Sequence, residues 1–224
     1  MGDAARKAEL FEQLARVGKA LGSGKRLELL DLLAQGPRSV ADLAATAGLG
    51  LTTTSAHLQA LKRAGLVASS QTRTTIHYRL SGGDVAALFA QLRGVAAAHL
   101  PAVDAARRSY LGTRDGDDTE QIGRDELLRR ARAGDVVVLD VRPAVEYAEG
   151  HIPGAISIPI DELPARLAEL PTGTDIVAYC RGAYCVFAHD AVRFLNAEGR
   201  RALRLAEGML EWRVADLPVS TLAS

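Results

Sequence analysis

The sequence predicts an α/β chain in two parts: a mostly helical N-terminal half with a two-stranded ribbon, and a C-terminal half built on a parallel sheet covered by helices on both faces. Three observations carry that expectation. Apolar residues recur at helical spacing up to about residue 64, alternate over a short stretch, and beyond residue 119 form short apolar runs interleaved with helical segments. Charge divides in the same region: residues 1–110 carry 14 Lys+Arg against 8 Asp+Glu and residues 111–224 carry 13 against 19, so a net charge of zero hides a basic half and an acidic half. Both cysteines of the 224-residue chain lie between Cys180 and Cys185, which in a chain otherwise free of cysteine points to thiol chemistry before a structural staple.

A chain of this length accommodates two domains of about 100 residues each. The divisions expected are residues 1–110, a linker at 111–118 that is short, charged and glycine-containing, and residues 119–224. Hydrophobic residues at 48%, charged at 24% and aromatics at only 4% describe a globular chain with an aliphatic core. No apolar run approaches the roughly 20 residues of a membrane span, and the start, MGDAARKAELFEQ, lacks the apolar core of a signal peptide. A cytoplasmic protein with no membrane partner is expected.

Leu10, Leu14, Val17 and Leu21 place one apolar stripe on a helix over residues 4–21. Gly22-Ser23-Gly24 breaks it, and Ser23 is the expected cap of a second helix through Leu27, Leu30 and Leu33. Gly36-Pro37 ends that helix. A short helix follows from Ser39, then a tight turn at Gly48-Leu49-Gly50, then a helix from Thr52 to Ala64 with Leu58 and Leu61 inward. Leu66–Ser70 and Thr75–Leu80 alternate as strands around the polar tip Gln71-Thr72-Arg73. A long helix begins at Asp84 with Val85, Leu88, Phe89, Leu92, Val95 and His99 on one stripe; Pro101 kinks it, with a resumption through Arg108.

Helix, turn, helix and a ribbon with a basic tip make a winged helix-turn-helix, whose second helix enters the DNA major groove. On that helix Thr52, Thr53, Ser55, His57, Gln59, Lys62 and Arg63 are the candidate DNA-binding residues, joined by Arg73 on the wing. Hydroxyls allow close approach, Gln59 can bond a base edge, and the cations neutralise phosphate. His57 also reads as a packing residue. The pattern S-x-H-L-x-x-L-x-x-A-G-L-V over Ser55–Val67, followed by Ile76-His-Tyr-Arg-Leu80, resembles the ArsR family of bacterial repressors over about residues 8–100. The resemblance implies a homodimer through the first and last helices and a palindromic operator in double-stranded DNA. It departs from the metal-sensing members: Ser39–Thr46 has no cysteine, and the last helix offers only His99, so no metal site is expected.

The second half alternates. A helix at Arg124–Arg132 precedes Val136–Leu139, a continuous apolar run suited to a strand buried on both faces. Further helices are expected near Ala144–Glu149, Asp161–Leu170, Val186–Asn196 and Met209–Ala215, with strands at Ala155–Ile158, Asp175–Tyr179 and Ala202–Leu205. That alternation is a doubly wound parallel sheet.

Cys180 falls at the carboxyl end of a strand, where open α/β sheets place ligands. The loop Arg181, Gly182, Ala183, Tyr184, Cys185 enters a helix, so its amides and the Arg181 charge are expected to favour the thiolate and to cradle a persulfide. Leu139-Asp-Val-Arg142, the run from Glu146 through Gly150-His-Ile-Pro-Gly-Ala155 to Ile156, and the cysteine loop together resemble the rhodanese family over about residues 119–218. The resemblance implies sulfane-sulfur transfer through a persulfide on Cys180, from a persulfide, polysulfide or thiosulfate donor and with no cofactor. Asp140, Arg142, Glu146 and His151 then hold scaffold and rim, and Trp212 borders the pocket or lies in the core. Related phosphatases carry an arginine six positions after the cysteine; here that position is Val186. Cys185 is either a resolving thiol or a small buried hydrophobe.

The expected function is a DNA-binding transcriptional regulator, a repressor, whose rhodanese-like domain forms a persulfide on Cys180 and senses or transfers sulfane sulfur. The alternative is a sulfurtransferase with an uncoupled DNA-binding module. A protein–protein module sharing the winged-helix shape is a third class.

Overall fold

The described residues of the computed structural model, 2–113 and 119–222, fall into two units, Met1–Phe89 and Ala90–Ser224. Residues 114–118 of the expected linker lie outside the described residues.

In the first unit the leucine spacing produces helices α1 (Gly2–Leu21), α2 (Gly24–Leu33), α3 (Val40–Ala47) and α4 (Leu51–Arg63), with a two-residue strand β1 (Arg38–Ser39) before α3. Leu29, Leu30, Leu43, Leu58 and Leu61 are wholly buried, which makes α2, α3 and α4 one aliphatic core. Ser23 occupies the cap position of α2 but its side chain makes no capping bond. Ser39 does cap α3: its Oγ accepts from the Asp42 amide at 3.1 Å and donates to the Asp42 carboxylate at 2.7 Å. Gly48, with φ at 61°, closes α3 in the left-handed region and turns the chain into α4.

The ribbon strands β2 (Val67–Thr72) and β3 (Thr75–Leu80) pair antiparallel from Val67 opposite Leu80 to Thr72 opposite Thr75. Gln71 and Thr72 are therefore strand residues rather than tip, and the turn is Arg73-Thr74 alone, with Arg73 at φ 54°. β1 adds a third strand beside β3, with Arg38 opposite Tyr78. Two residues are too few to show any period in a sequence. Helix α5 (Gly83–His99) follows and contains the division between the units. It ends before Leu100, and α6 (Pro101–Leu111) starts a separate helix bent by 106° from it, because Pro101 lacks the amide needed to continue. Among the described residues no single helix is long and apolar enough to cross a membrane.

The second unit runs β4 (Gln121–Ile122), α7 (Arg124–Ala133), β5 (Val136–Asp140), α8 (Ala144–Ala148), β6 (Ile156–Ser157), α9 (Leu163–Arg166) continued by a 3-10 turn at Leu167–Glu169, β7 (Asp175–Tyr179), α10 (Val186–Ala197), β8 (Ala202–Leu205) and α11 (Met209–Val214). Its sheet has the order β4-β8-β7-β5-β6 with every pair parallel. From β5 the chain steps outward to β6 and then returns to β7 on the other side, so the order reverses between β5 and β7. At such a switch point the carboxyl ends of the strands open a crevice. Period-two alternation divides the core between the two faces. Ile176, Ala178 and Cys180 pack with Ala188, Ala191, Val192 and Leu195 of α10, while Val177 and Tyr179 pack with Leu127 of α7 and with Met209 and Trp212 of α11.

Candidate sulfur-transfer loop and DNA-facing helix

Alternation along β7 puts Cys180 on the α10 face at the strand's carboxyl end, 1% exposed. Cys180 and Cys185 are joined by a disulfide across the loop, with Cα atoms 6.1 Å apart. α11 holds the loop from outside. The Met209 amide donates to the Cys180 carbonyl at 3.0 Å and the Leu210 amide to the Arg181 carbonyl at 2.9 Å, so two unsatisfied amides at the start of α11 are spent on the loop. This approach requires glycine at 208. A Cβ there would stand 2.4 Å from the Gly182 Cα and 2.7 Å from the Cys180 carbonyl oxygen. Within the loop the Cys185 amide turns back onto the Gly182 carbonyl at 3.0 Å. Ala183 and Tyr184 complete the loop, half-buried.

The predicted rim residues form two ion pairs. Arg142 and Asp140 are fully buried and paired at 2.6 Å; Arg142 also donates to the Gly150 carbonyl at 2.8 Å. Burial opposes the charge on Arg142, but the hydrogen bond and attraction from Asp140 outweigh it and raise its pKa. The Tyr179 hydroxyl donates to Asp140 at 2.5 Å and accepts from the Ile152 amide at 3.1 Å, tying β5 to the turn after α8. Glu146, 1% exposed at its side chain, pairs with Arg181 at 2.6 Å. The Arg181 charge is thus shared with a buried carboxylate, and its guanidinium lies 5.4 Å over the Phe187 ring. His151 stacks on Tyr147 at 3.7 Å and bonds the Tyr147 carbonyl at 2.8 Å, and its backbone bridges to Ser220. Trp212 is 1% exposed and donates to the Pro218 carbonyl, so it lies in the core.

Burial, and then the Asp140 carboxylate, push the Tyr179 phenol well above its ordinary value of about 10. A raised folded pKa means that the unfolded chain sheds this proton first. The stability contributed is complete below about pH 10 and is lost as pH rises toward the folded value. Alkaline spectrophotometric titration of the five tyrosines should therefore show one phenol that ionises only on unfolding, and Tyr179→Phe should remove it. Full ionisation of the folded wild type near pH 10 would contradict that placement.

Three loop neighbours were not legible in the sequence. His189, 1% exposed, bonds the Cys185 carbonyl at 3.2 Å; its only sequence signal is its position four residues along the same helix face. Glu211 accepts from the Gly208 amide at 2.9 Å. Arg93, in the part of α5 that belongs to the second unit, lies 4.4 Å over the Tyr184 ring.

On α4, Thr52, Thr53, Gln59, Lys62 and Arg63 are exposed and Ser55 and His57 half-buried, with Arg73 exposed at the ribbon tip. Two of these side chains are engaged with the ribbon: Gln59 donates to the Tyr78 hydroxyl at 2.8 Å and Lys62 to the Ser69 hydroxyl at 2.7 Å. Those bonds pin the wing to the helix. They also fix the orientation of Gln59 and Lys62.

Residues 123–215 match the rhodanese-like domain family, and residues 23–69 match the arsR family of bacterial regulatory proteins. Over 218 residues, 97% of this chain and 95% of the relative, the sequence is 56% identical to HTH-type transcriptional regulator Rv0324 of Mycobacterium tuberculosis. A stretch of 101 residues, 44% of this chain and 92% of the relative, is 35% identical to a sulfurtransferase of Allochromatium vinosum. Among solved structures, the homodimeric winged helix-turn-helix DNA-binding domain (fragment 1-100) of a Mycobacterium bovis protein shares 56% identity at a TM-score of 0.41, covering 42% of this chain and 88% of that one. A helix-turn-helix with its wing and a rhodanese-like sheet in one chain define the class: a transcriptional regulator carrying a rhodanese-like domain. This chain belongs to the ArsR family of bacterial regulatory proteins.

Proposed function

We propose that this regulator reads sulfane sulfur through Cys180 and answers by changing its affinity for operator DNA. The observation that carries the reading is the placement of both thiols of the chain in one loop at the switch point of the sheet, close enough to bond. In the reduced protein the Cys180 thiolate attacks the outer sulfur of a polysulfide, persulfide or thiosulfate. The new bond is Cys180 Sγ–S, and the leaving group is the shortened polysulfide, a thiolate or sulfite. Cys185 then attacks the Cys180 sulfur of that persulfide, forming the disulfide and expelling hydrosulfide. Two thiols are oxidised and one sulfane sulfur is reduced. In this reading Arg181–Cys185 cradle the anionic sulfur, Asp140–Arg142 and Glu146–Arg181 hold the loop's base, and His151 braces the turn beside it.

Thr52, Thr53, Ser55, His57, Gln59, Lys62 and Arg63 would face the major groove, with Arg73 at phosphate or minor groove. Leu10, Phe11 and Leu14 of α1, each more than half exposed, and Leu88 of α5 are exposed apolar side chains of the first unit that would meet a second copy, as a palindromic operator requires. The cell interior, where DNA and reduced thiols coexist, is the compartment that suits this function.

Equilibrium binding to DNA from upstream of its own coding sequence, at fixed salt, before and after polysulfide treatment, tests the reading. A shift of about tenfold or more is expected. Tight binding with no shift, together with rapid sulfur turnover, would favour an uncoupled sulfurtransferase, the reading supported by likeness to the Allochromatium vinosum enzyme.

A further inference from the structure

Arg93 stands where neither family match reaches, yet it lies against the cysteine loop. Its Nη2 lies 3.4 Å from Glu211 Oε1, and its guanidinium covers the Tyr184 ring at 4.4 Å. A Cβ on Gly182 would stand 3.0 Å from Arg93 Nη1 and 3.2 Å from Glu211 Oε2. The side chains of Arg93 and Glu211 are only 14% and 25% exposed, so the contact is largely out of water, where charge attraction and ring stacking are stronger. The other Glu211 oxygen accepts from the Gly208 amide, and Gly208 is the residue packed on Gly182. Arg93, Glu211, Gly208, Gly182 and Tyr184 therefore form one closed cluster around the middle of the loop.

Arg93 is also part of α5. Four residues earlier on the same helix, about 6 Å along its axis, Phe89 is 6% exposed and belongs to the first unit.

We infer that Arg93 is the positioning residue by which the chemical state of the Cys180–Cys185 loop is read on α5. Gly182 to Tyr184 are spanned by the disulfide. Opening that bond, or replacing it with a persulfide, changes the path of these residues, and the Arg93 guanidinium follows the Tyr184 ring and the Glu211 carboxylate. Neither thiol needs to touch α5. The inference deepens the sulfur-sensing reading by naming the link, but it concerns the loop's oxidation and does not depend on DNA or on a sulfur donor.

The test is hydrogen exchange of residues 90–99 in the full-length protein, reduced with dithiothreitol or oxidised with diamide, the loop's state confirmed by mass. In the wild type, closing the disulfide should change α5 exchange by about fivefold or more. Arg93→Gln should abolish that difference, and Arg93→Lys, which keeps the charge facing Glu211 and the ring, should restore part of it. Should Arg93→Gln fold poorly, Glu211→Gln removes the ion pair while keeping an acceptor for the Gly208 amide, and the same loss is expected. Exchange indifferent to oxidation in the wild type, or an undiminished response in a folded Arg93→Gln or Glu211→Gln protein, would overturn the inference. A regulator blind to polysulfide would refute the sulfur-sensing reading and leave this result standing.

Discussion

Cys180→Ala is expected to bind its upstream DNA with the same affinity before and after polysulfide treatment, while the wild type shifts by about tenfold or more, equivalent to about 1.4 kcal/mol of coupling. The other thiol should separate the two chemical steps. Cys185→Ser retains Cys180 but cannot close the ring, so a protein one sulfur atom heavier should accumulate by intact mass, and dithiothreitol should restore the original mass. If the affinity change follows the persulfide, Cys185→Ser responds; if it follows the disulfide, the variant takes up sulfur but its affinity for DNA stays fixed. Coupling between binding equilibria is reciprocal, so operator DNA should shift the equilibrium loading of Cys180 by the same factor. Polysulfide sensitivity that survives Cys180→Ala would end the proposal, because Cys185 alone has no partner thiol in the chain.

Asp140→Asn should cost about 3–5 kcal/mol of folding stability. Asp140 and Arg142 have no exposed side-chain surface, and the carboxylate bonds the guanidinium and stabilises its charge. Asparagine leaves that cation charged and buried, and also disturbs the bond from Tyr179. Replacing both members of the pair, Asp140→Leu with Arg142→Met, should restore much of the loss, since two apolar groups need no solvation. Trp212 is the only tryptophan of the chain and lies in the core of this unit, so its fluorescence follows the transition in denaturant. A single-variant loss below 1 kcal/mol would show that the carboxylate does not hold the guanidinium in the folded state.

Legibility in the sequence followed the range of the forces involved. β5 was readable because burial on both faces leaves a continuous apolar run, Val136 to Leu139. α4 was readable because Leu58 and Leu61 repeat at helical spacing. β1 and β4, two residues each, exist only because β3 and β8 offer free edges, and a pairing partner leaves no mark on so short a segment. The helix expected over Asp161–Leu170 shrinks to Leu163–Arg166 and a 3-10 turn. Of the site, Cys180 and its loop were visible as motif. The glycine that lets α11 press on the loop, the imidazole of His189 and the guanidinium of Arg93 depend on approaches between distant segments, which no local spacing records.

The burial of Cys180 has a consequence for time. A cysteine that is 1% exposed as a residue in its bonded form is sheltered from collision with a bulky reductase until the loop opens. Once reductant is plentiful, the return to the dithiol runs at the pace of that opening, a property of the fold, rather than at the concentration of the reducing agent. The chain would then keep a memory of a past pulse of reactive sulfur, with its lifetime set by how tightly α11 grips the Cys180 and Arg181 carbonyls.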